Sequence, residues 1–238
     1  TKYSISEQHS RMIVEESSIA PEIAAERGYR TIKRRSELTE YPEWQRRLGL
    51  YVPMYSPDGV TVGCQIRPDK PRRKGPKYES PQGSRVIADV HPRMLDEVRH
   101  GSSPLLITEG VKTGDAATSR GMPTVVLPGV WMWKKSKTHA DLIPCFDHVN
   151  LNRPVFVAFD ADLMDNRNVQ QALERLVGPL EARGAEVKVV FLPDLGDGKT
   201  GVDDYLAAGH TLAELQLLGR PYERRDVASV RLAQSTPL

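Results

Sequence analysis

The rhythm of apolar and polar positions changes near the middle of this chain. Residues 6–17 have a pattern that can be helical, and Pro21 at a first-turn position, Glu22 beside it and Gly28 as a stop mark a second short helix. Two β-branched and aromatic runs follow, 50–55 and 60–66, joined by Pro57-Asp58-Gly59; this predicts a hairpin. Residues 68–76 are basic and proline-rich, and read as a loop. In the second half, short apolar runs alternate with helical stretches. The run 104–108 ends at Glu109, a helix is predicted over 111–120, and the run 124–127 ends at Pro128-Gly129. The run 155–159 ends at Asp160, an amphipathic helix spans about 168–183, and 187–192 supplies one more strand. This alternation predicts an α/β unit whose mostly parallel sheet is flanked by helices, preceded by a smaller α+β amino-terminal lobe. The expected division is 1–100 for that lobe, which would bind nucleotide or nucleic acid, 101–220 for the catalytic α/β domain, and 221–238 for a polar tail or linker.

Composition narrows the class. With 39% apolar and 27% charged residues in 238, the chain has the balance of an ordinary soluble protein. No apolar run approaches the roughly 20 residues of a membrane helix, so no membrane partner is expected and the expected location is the cytoplasm. An opening Thr1 in place of Met is what a piece of a longer protein would show. Cys64 and Cys145 are far apart and lack a C-x-x-C partner, which excludes a zinc ribbon and a disulfide framework and leaves buried free thiols. The six histidines show no ligand spacing.

The net charge of +2 is too small to argue nucleic-acid binding, but the distribution is uneven. Arg27, Arg30, Lys33, Arg34 and Arg35 form one basic cluster; Arg67, Lys70, Arg72, Arg73, Lys74 and Lys77 a second; Lys134, Lys135 and Lys137 a third. Such clusters contact phosphates, although a charge run also serves as a solvated face. Trp131 and Trp133 precede the third cluster at strand spacing, where they could stack on bases or, as aromatics more often do, fill core.

Acidic residues fall where an α/β sheet collects its ligands, beyond the carboxyl ends of strands. Glu109 follows one run, Asp160 and Asp162 another, and Asp203-Asp204 stand in the loop and helix start after the last. Positions two apart on extended backbone face one side, so Asp160 and Asp162 can present both carboxylates together. Clustered carboxylates without His or Cys select Mg²⁺ or Mn²⁺ and not zinc. Taken singly, each acid could equally be a helix cap.

These residues carry a resemblance. The stretch 105–116, with Glu109-Gly110, resembles the glutamate motif of Toprim domains, and Phe159-Asp160-Ala161-Asp162 resembles their Asp-x-Asp motif. Upstream, the hairpin, Arg67, and Lys77-Tyr78 followed by Ser80-Pro81 are similar in order to the amino-terminal subdomain of the bacterial DnaG-type primase catalytic core. Gly201-Val202-Asp203-Asp204-Tyr205-Leu206 is similar to the late acidic motif of these primases. The likeness covers roughly 50–209, in the form found in primase-like proteins of phages and other mobile elements. The chain departs from the family in two ways: the zinc-binding template reader is missing, being either absent or outside this sequence, and the late acidic site is Asp-Asp in place of Asp-x-Asp. Gly196-Asp197-Gly198-Lys199-Thr200 lacks P-loop spacing, so no helicase motor is visible.

The resemblance implies a Toprim fold and a DNA primase, a metal-dependent nucleotidyltransferase making short oligonucleotides from NTPs on a single-stranded DNA template, in company with a helicase domain or protein. Its implied site has Glu109, Asp160 and Asp162 as catalytic residues. The metal ligands would be Asp160, Asp162 and Asp204, with Asp203 in support and Glu109 as a ligand or general acid/base. Arg67, Arg72, Arg73, Lys74, Lys77, Lys112, Lys134 and Lys135 would grip nucleotide or template phosphates. The alternatives are a Toprim-type metal-dependent nuclease and a noncatalytic nucleic-acid-binding module.

Overall fold

The computed structural model describes residues 4–60, 62–73, 75–135, 141–160, 166–196 and 200–222. Helix α1 (Glu7–Arg11), whose first turn is capped by the Ser6 hydroxyl, runs on into a π-helical turn (Met12–Glu16). Helix α2 (Pro21–Arg27) starts on its proline, which needs no N–H partner there. Strands β1 (Arg30–Ile32), β2 (Gly49–Tyr55) and β3 (Val62–Pro68) form an antiparallel sheet in that order, with Tyr51 opposite Ile66. The hairpin is the one its turn residues predict. Strand β1 was not foreseen, because three residues are too short to show an alternation.

Helix α3 (Leu95–His100) leads into the second sheet. Its elements are β4 (Leu105–Glu109), α4 (Val111–Thr118), β5 (Thr124–Leu127), β6 (Pro154–Ala158), α5 (Arg167–Glu181), β7 (Glu186–Val190), α6 (Val202–Ala207), α7 (Leu212–Leu217) and β8 (Gly219–Pro221). Strand order is β5-β4-β6-β7-β8, parallel except for β8. The mostly parallel sheet flanked by helices, preceded by an α+β lobe, is thus the architecture expected from the sequence. Edge strand β8 is an addition that a Gly-Arg-Pro segment gives no pattern for.

A parallel sheet buried on both faces needs apolar residues of both parities, and these strands supply them. Leu105, Ile107, Val125, Val155, Val157, Val187 and Val189 face one core with Val169, Leu173, Leu176 and Leu180, the apolar stripe of α5. Leu106, Val126, Phe156, Ala158 and Val190 face the other, which they share with α4, α6 and Leu50, Val52 and Met54 of β2. Each of the stripe's leucines contributes about 1.5–3 kcal/mol by leaving water. The close approach of α4 to β5 depends on Gly114, since a Cβ there would stand 2.2 Å from Val126 Cγ2.

Buried charge also ties the two sheets together. Arg27 is wholly buried, and its guanidinium donates to Asp115 on α4 through Nε (3.0 Å) and Nη2 (2.5 Å), and to Asp89 at 2.7 Å. Tyr29 donates to the same Asp115 at 2.7 Å, and the Tyr55 N–H to Asp89 at 2.7 Å. Arg27 therefore does not belong to a solvent-facing basic cluster, and Arg30 lies over the Tyr51 ring, 4.0 Å from its centroid. Both cysteines are free and buried. Among the described residues no helix is long and apolar enough to cross a membrane.

Candidate catalytic site

The carboxyl ends of β4 and β6 lie side by side, because Thr108 pairs with Ala158. Glu109 closes β4 and Asp160 follows β6 by two residues; both are half-buried at that edge. Helix α6 brings the late acids to the same place. Asp203 is buried in its first turn and accepts a hydrogen bond from the Thr113 hydroxyl of α4 at 3.0 Å. Asp204 is exposed and accepts from the Gly201 N–H at 2.8 Å, which caps the helix.

The absent side chain of Gly201 marks where these groups converge. A Cβ at that position would stand 2.7 Å from Asp203 Oδ1, 3.3 Å from Asp160 Oδ1 and 3.5 Å from Asp204 Oδ2. Three carboxylates thus surround a cradle that one methyl group would fill. Their donor set is entirely hard oxygen, which fits Mg²⁺ or Mn²⁺. Among the described residues, no three acidic, His or Cys side chains form a ready-made metal cage. The oxygens converge without closing on one point, and two of them are held by hydrogen bonds. Asp162 lies outside the described residues.

Opposite the acids stands a group of cations. Lys112, in the first turn of α4, is half-buried and hydrogen-bonded to the Ser17 hydroxyl. Burial pushes its ammonium below the ordinary lysine value; Asp203 pulls it back up, while Arg67 and Lys77 add to the lowering. Arg67 leaves β3 to contact Met12 Sδ at 2.7 Å, with its guanidinium 5.9 Å from the centre of the Tyr78 ring. Burial raises the Tyr78 hydroxyl to about 12, Arg67 opposes this, and Asp203 adds to it. Tyr78 also lines a groove of about 780 Å³ that runs along β3 past Gln65 and Ile87 to Pro128 and Met132. The carboxylates are not in the walls of this groove, so it adjoins the acidic edge and does not contain it.

The remaining basic residues are dispersed. Arg72 lies over the Trp44 ring, 4.7 Å from its centroid, and pairs with Glu79 at 3.6 Å, so its charge is partly committed locally. Arg73 is exposed, and Lys74 is outside the described residues. Lys135 is exposed, and Lys134 sits against Trp131. Trp133 is wholly buried and fills core. Sequence reasoning did not pick out Thr113, Tyr78 as a wall, or Gly201. Only the Gly before the Asp-Asp pair could have hinted at the last, as a place where chains approach closely.

The fold is a mostly parallel sheet, with carboxylates at its strand ends, joined to an antiparallel lobe that carries cations. A family model described as a domain of unknown function (DUF3854) matches residues 96–212, from α3 to the start of α7. Comparison with curated proteins gives no match. Among solved structures, similarity is to primases. The Aquifex aeolicus primase (zinc-binding and RNA polymerase domains) is 17% identical with a TM-score of 0.62, covering 90% of this chain and 55% of that one. This chain thus spans about half the length of that relative. The E. coli primase catalytic core is 17% identical with a TM-score of 0.58, covering 97% of this chain and 78% of its own. A DnaG primase catalytic domain bound to single-stranded DNA is 18% identical with a TM-score of 0.58, covering 89% and 74%. The chain has the fold of the DnaG primase catalytic core.

Proposed function

We propose that this chain is a primase-like nucleotidyltransferase that makes short oligonucleotides on single-stranded DNA in a metal-dependent reaction. The observation that supports this most is that Asp160, Asp203 and Asp204 gather around Gly201, while Asp203, Arg67 and Lys77 all lie near enough to Lys112 to act on its charge. Nucleotide addition needs both halves: an acidic edge for cations and a basic wall for a triphosphate.

In this reading Asp160, Asp162, Asp203 and Asp204 would hold Mg²⁺ or Mn²⁺, which supply neutralisation of the triphosphate and activation of the 3′-hydroxyl. Glu109, at the end of β4, is a further ligand or moves a proton at that hydroxyl. Lys112 and Lys77 grip the triphosphate, and Arg67 holds it from β3. Thr113 keeps Asp203 oriented, so the acid does not need to reorganise during reaction. Arg72, Arg73, Lys74, Lys134 and Lys135 extend the contact to template phosphates. Tyr205 does not suit the covalent chemistry of a topoisomerase, because its ring is buried and stacked on His210 with centroids 4.1 Å apart.

The test is incubation of the purified chain with labelled NTPs, a single-stranded template and Mg²⁺ or Mn²⁺. Wild type should make oligonucleotides. Asp160→Asn should abolish synthesis while leaving the fold as stable or slightly more so, because carboxylate repulsion is relieved. Glu109→Gln should cut synthesis by about 10²-fold. If wild type makes no product even from a supplied primer, yet nicks DNA in a Glu109-dependent way, the chain is a nuclease.

A further inference from the structure

A second polyanion contact is built outside the acidic edge. Trp131 lies in the loop after β5, at the same end of the sheet as Glu109, which pairs with Leu127. Its indole N–H donates to Asn168 Oδ1 at 2.8 Å, tying the loop to the first turn of α5. Lys134 Nζ stands 4.2 Å from the ring centroid and the Arg175 guanidinium 5.6 Å from it. Both cations are drawn to one half-buried ring, and neither has an ion pair among the described residues. Two like charges on one aromatic repel each other, and an anion bridging them would turn that cost into a gain. The groove that begins at Tyr78 ends at Pro128 and Met132, beside this ring.

We propose that Trp131, Lys134 and Arg175 form a nucleotide-contact site for single-stranded nucleic acid leaving that groove. The two cations take a backbone phosphate, and the indole face they vacate stacks on the adjoining base. Asn168 is a positioning residue that holds the ring at its angle. This inference rests on the nucleotidyltransferase reading above, but it concerns strand binding and not the chemical step.

Fluorescence anisotropy with a labelled oligo-dT of about 20 nucleotides tests it over a range of salt concentrations, using the full chain. Trp131→Ala should weaken binding roughly tenfold, as expected for a lost base stack, while Trp131→Phe retains most of the affinity. Lys134→Ala combined with Arg175→Ala should flatten the log–log salt slope by about 0.7, the share of the one phosphate they hold, and each single change should flatten it by less. Arg175 is exposed, so its variant tests the site without disturbing the fold. Trp131→Phe binding as poorly as Trp131→Ala would overturn the stacking. Wild-type affinity and slope in all these variants, with binding weakened by Arg73→Ala, would overturn this site and leave the nucleotidyltransferase reading standing. A wild-type chain that does not bind the oligonucleotide would overturn both.

Discussion

Replacing Arg27 by Met should destabilise the protein severely and loosen the helix that carries half of the candidate site. The arginine is wholly buried between two carboxylates. Removing it leaves Asp115 with the Tyr29 hydroxyl and Asp89 with the Tyr55 N–H, each short of its charge partner. Breaking a buried pair from one side costs about 3–5 kcal/mol, a large part of a domain's usual stability. For a chain of this size the corresponding drop in melting temperature is roughly 6–20 °C. Because Asp115 lies on α4 behind Lys112 and Thr113, nucleotide affinity should fall before global unfolding. Urea melts of Arg27→Met, and of the same variant carrying Asp115→Asn and Asp89→Asn, check the reasoning. The triple variant should recover much of the loss, since no uncompensated charge remains buried. An Arg27→Met protein within about 1 kcal/mol of wild type would refute the network's role.

Other outcomes follow from the same geometry. Burial lifts the Asp89 carboxyl to about 6, with Arg27 opposing, so the native state holds a proton that the unfolded chain releases between its ordinary 3.8 and about 6. The Asp89 contribution to stability should therefore fall as pH rises through that window and be flat above it. Urea midpoints of wild type against Asp89→Asn from pH 4.5 to 7.5 read this, and a pH-independent difference would contradict it. Gly201→Ala places a methyl 2.7 Å from Asp203 Oδ1 and should cost at least about tenfold in synthesis while stability changes by roughly 1–3 kcal/mol; an active variant would mean that the cradle is unused. Lys77→Ala and Lys112→Ala should raise KM for NTP more than they lower kcat, measured on a primed template.

Much of this protein was legible without coordinates. The alternation of short apolar runs and helical stretches determined a parallel sheet, because strands covered on both faces must be apolar throughout, and the residue after each run then falls at the ligand-binding edge. That reasoning located Glu109 and Asp160 and separated an antiparallel lobe by its Pro-Asp-Gly turn. Residues far apart in sequence had to be folded together before the rest could be seen. Nothing local to Arg27 reveals that it sits buried on Asp115, 88 positions away, while the Arg and Lys near it remain at the surface. The meeting of Asp160 with Asp203 and Asp204 around Gly201, and of Arg175 with Trp131 and Lys134, likewise depends on how α6 and α5 dock on the sheet. Sequence patterns record which face of an element is apolar, since burial is repeated along it; a polar contact is made once, between two points, and only the tertiary packing chooses them.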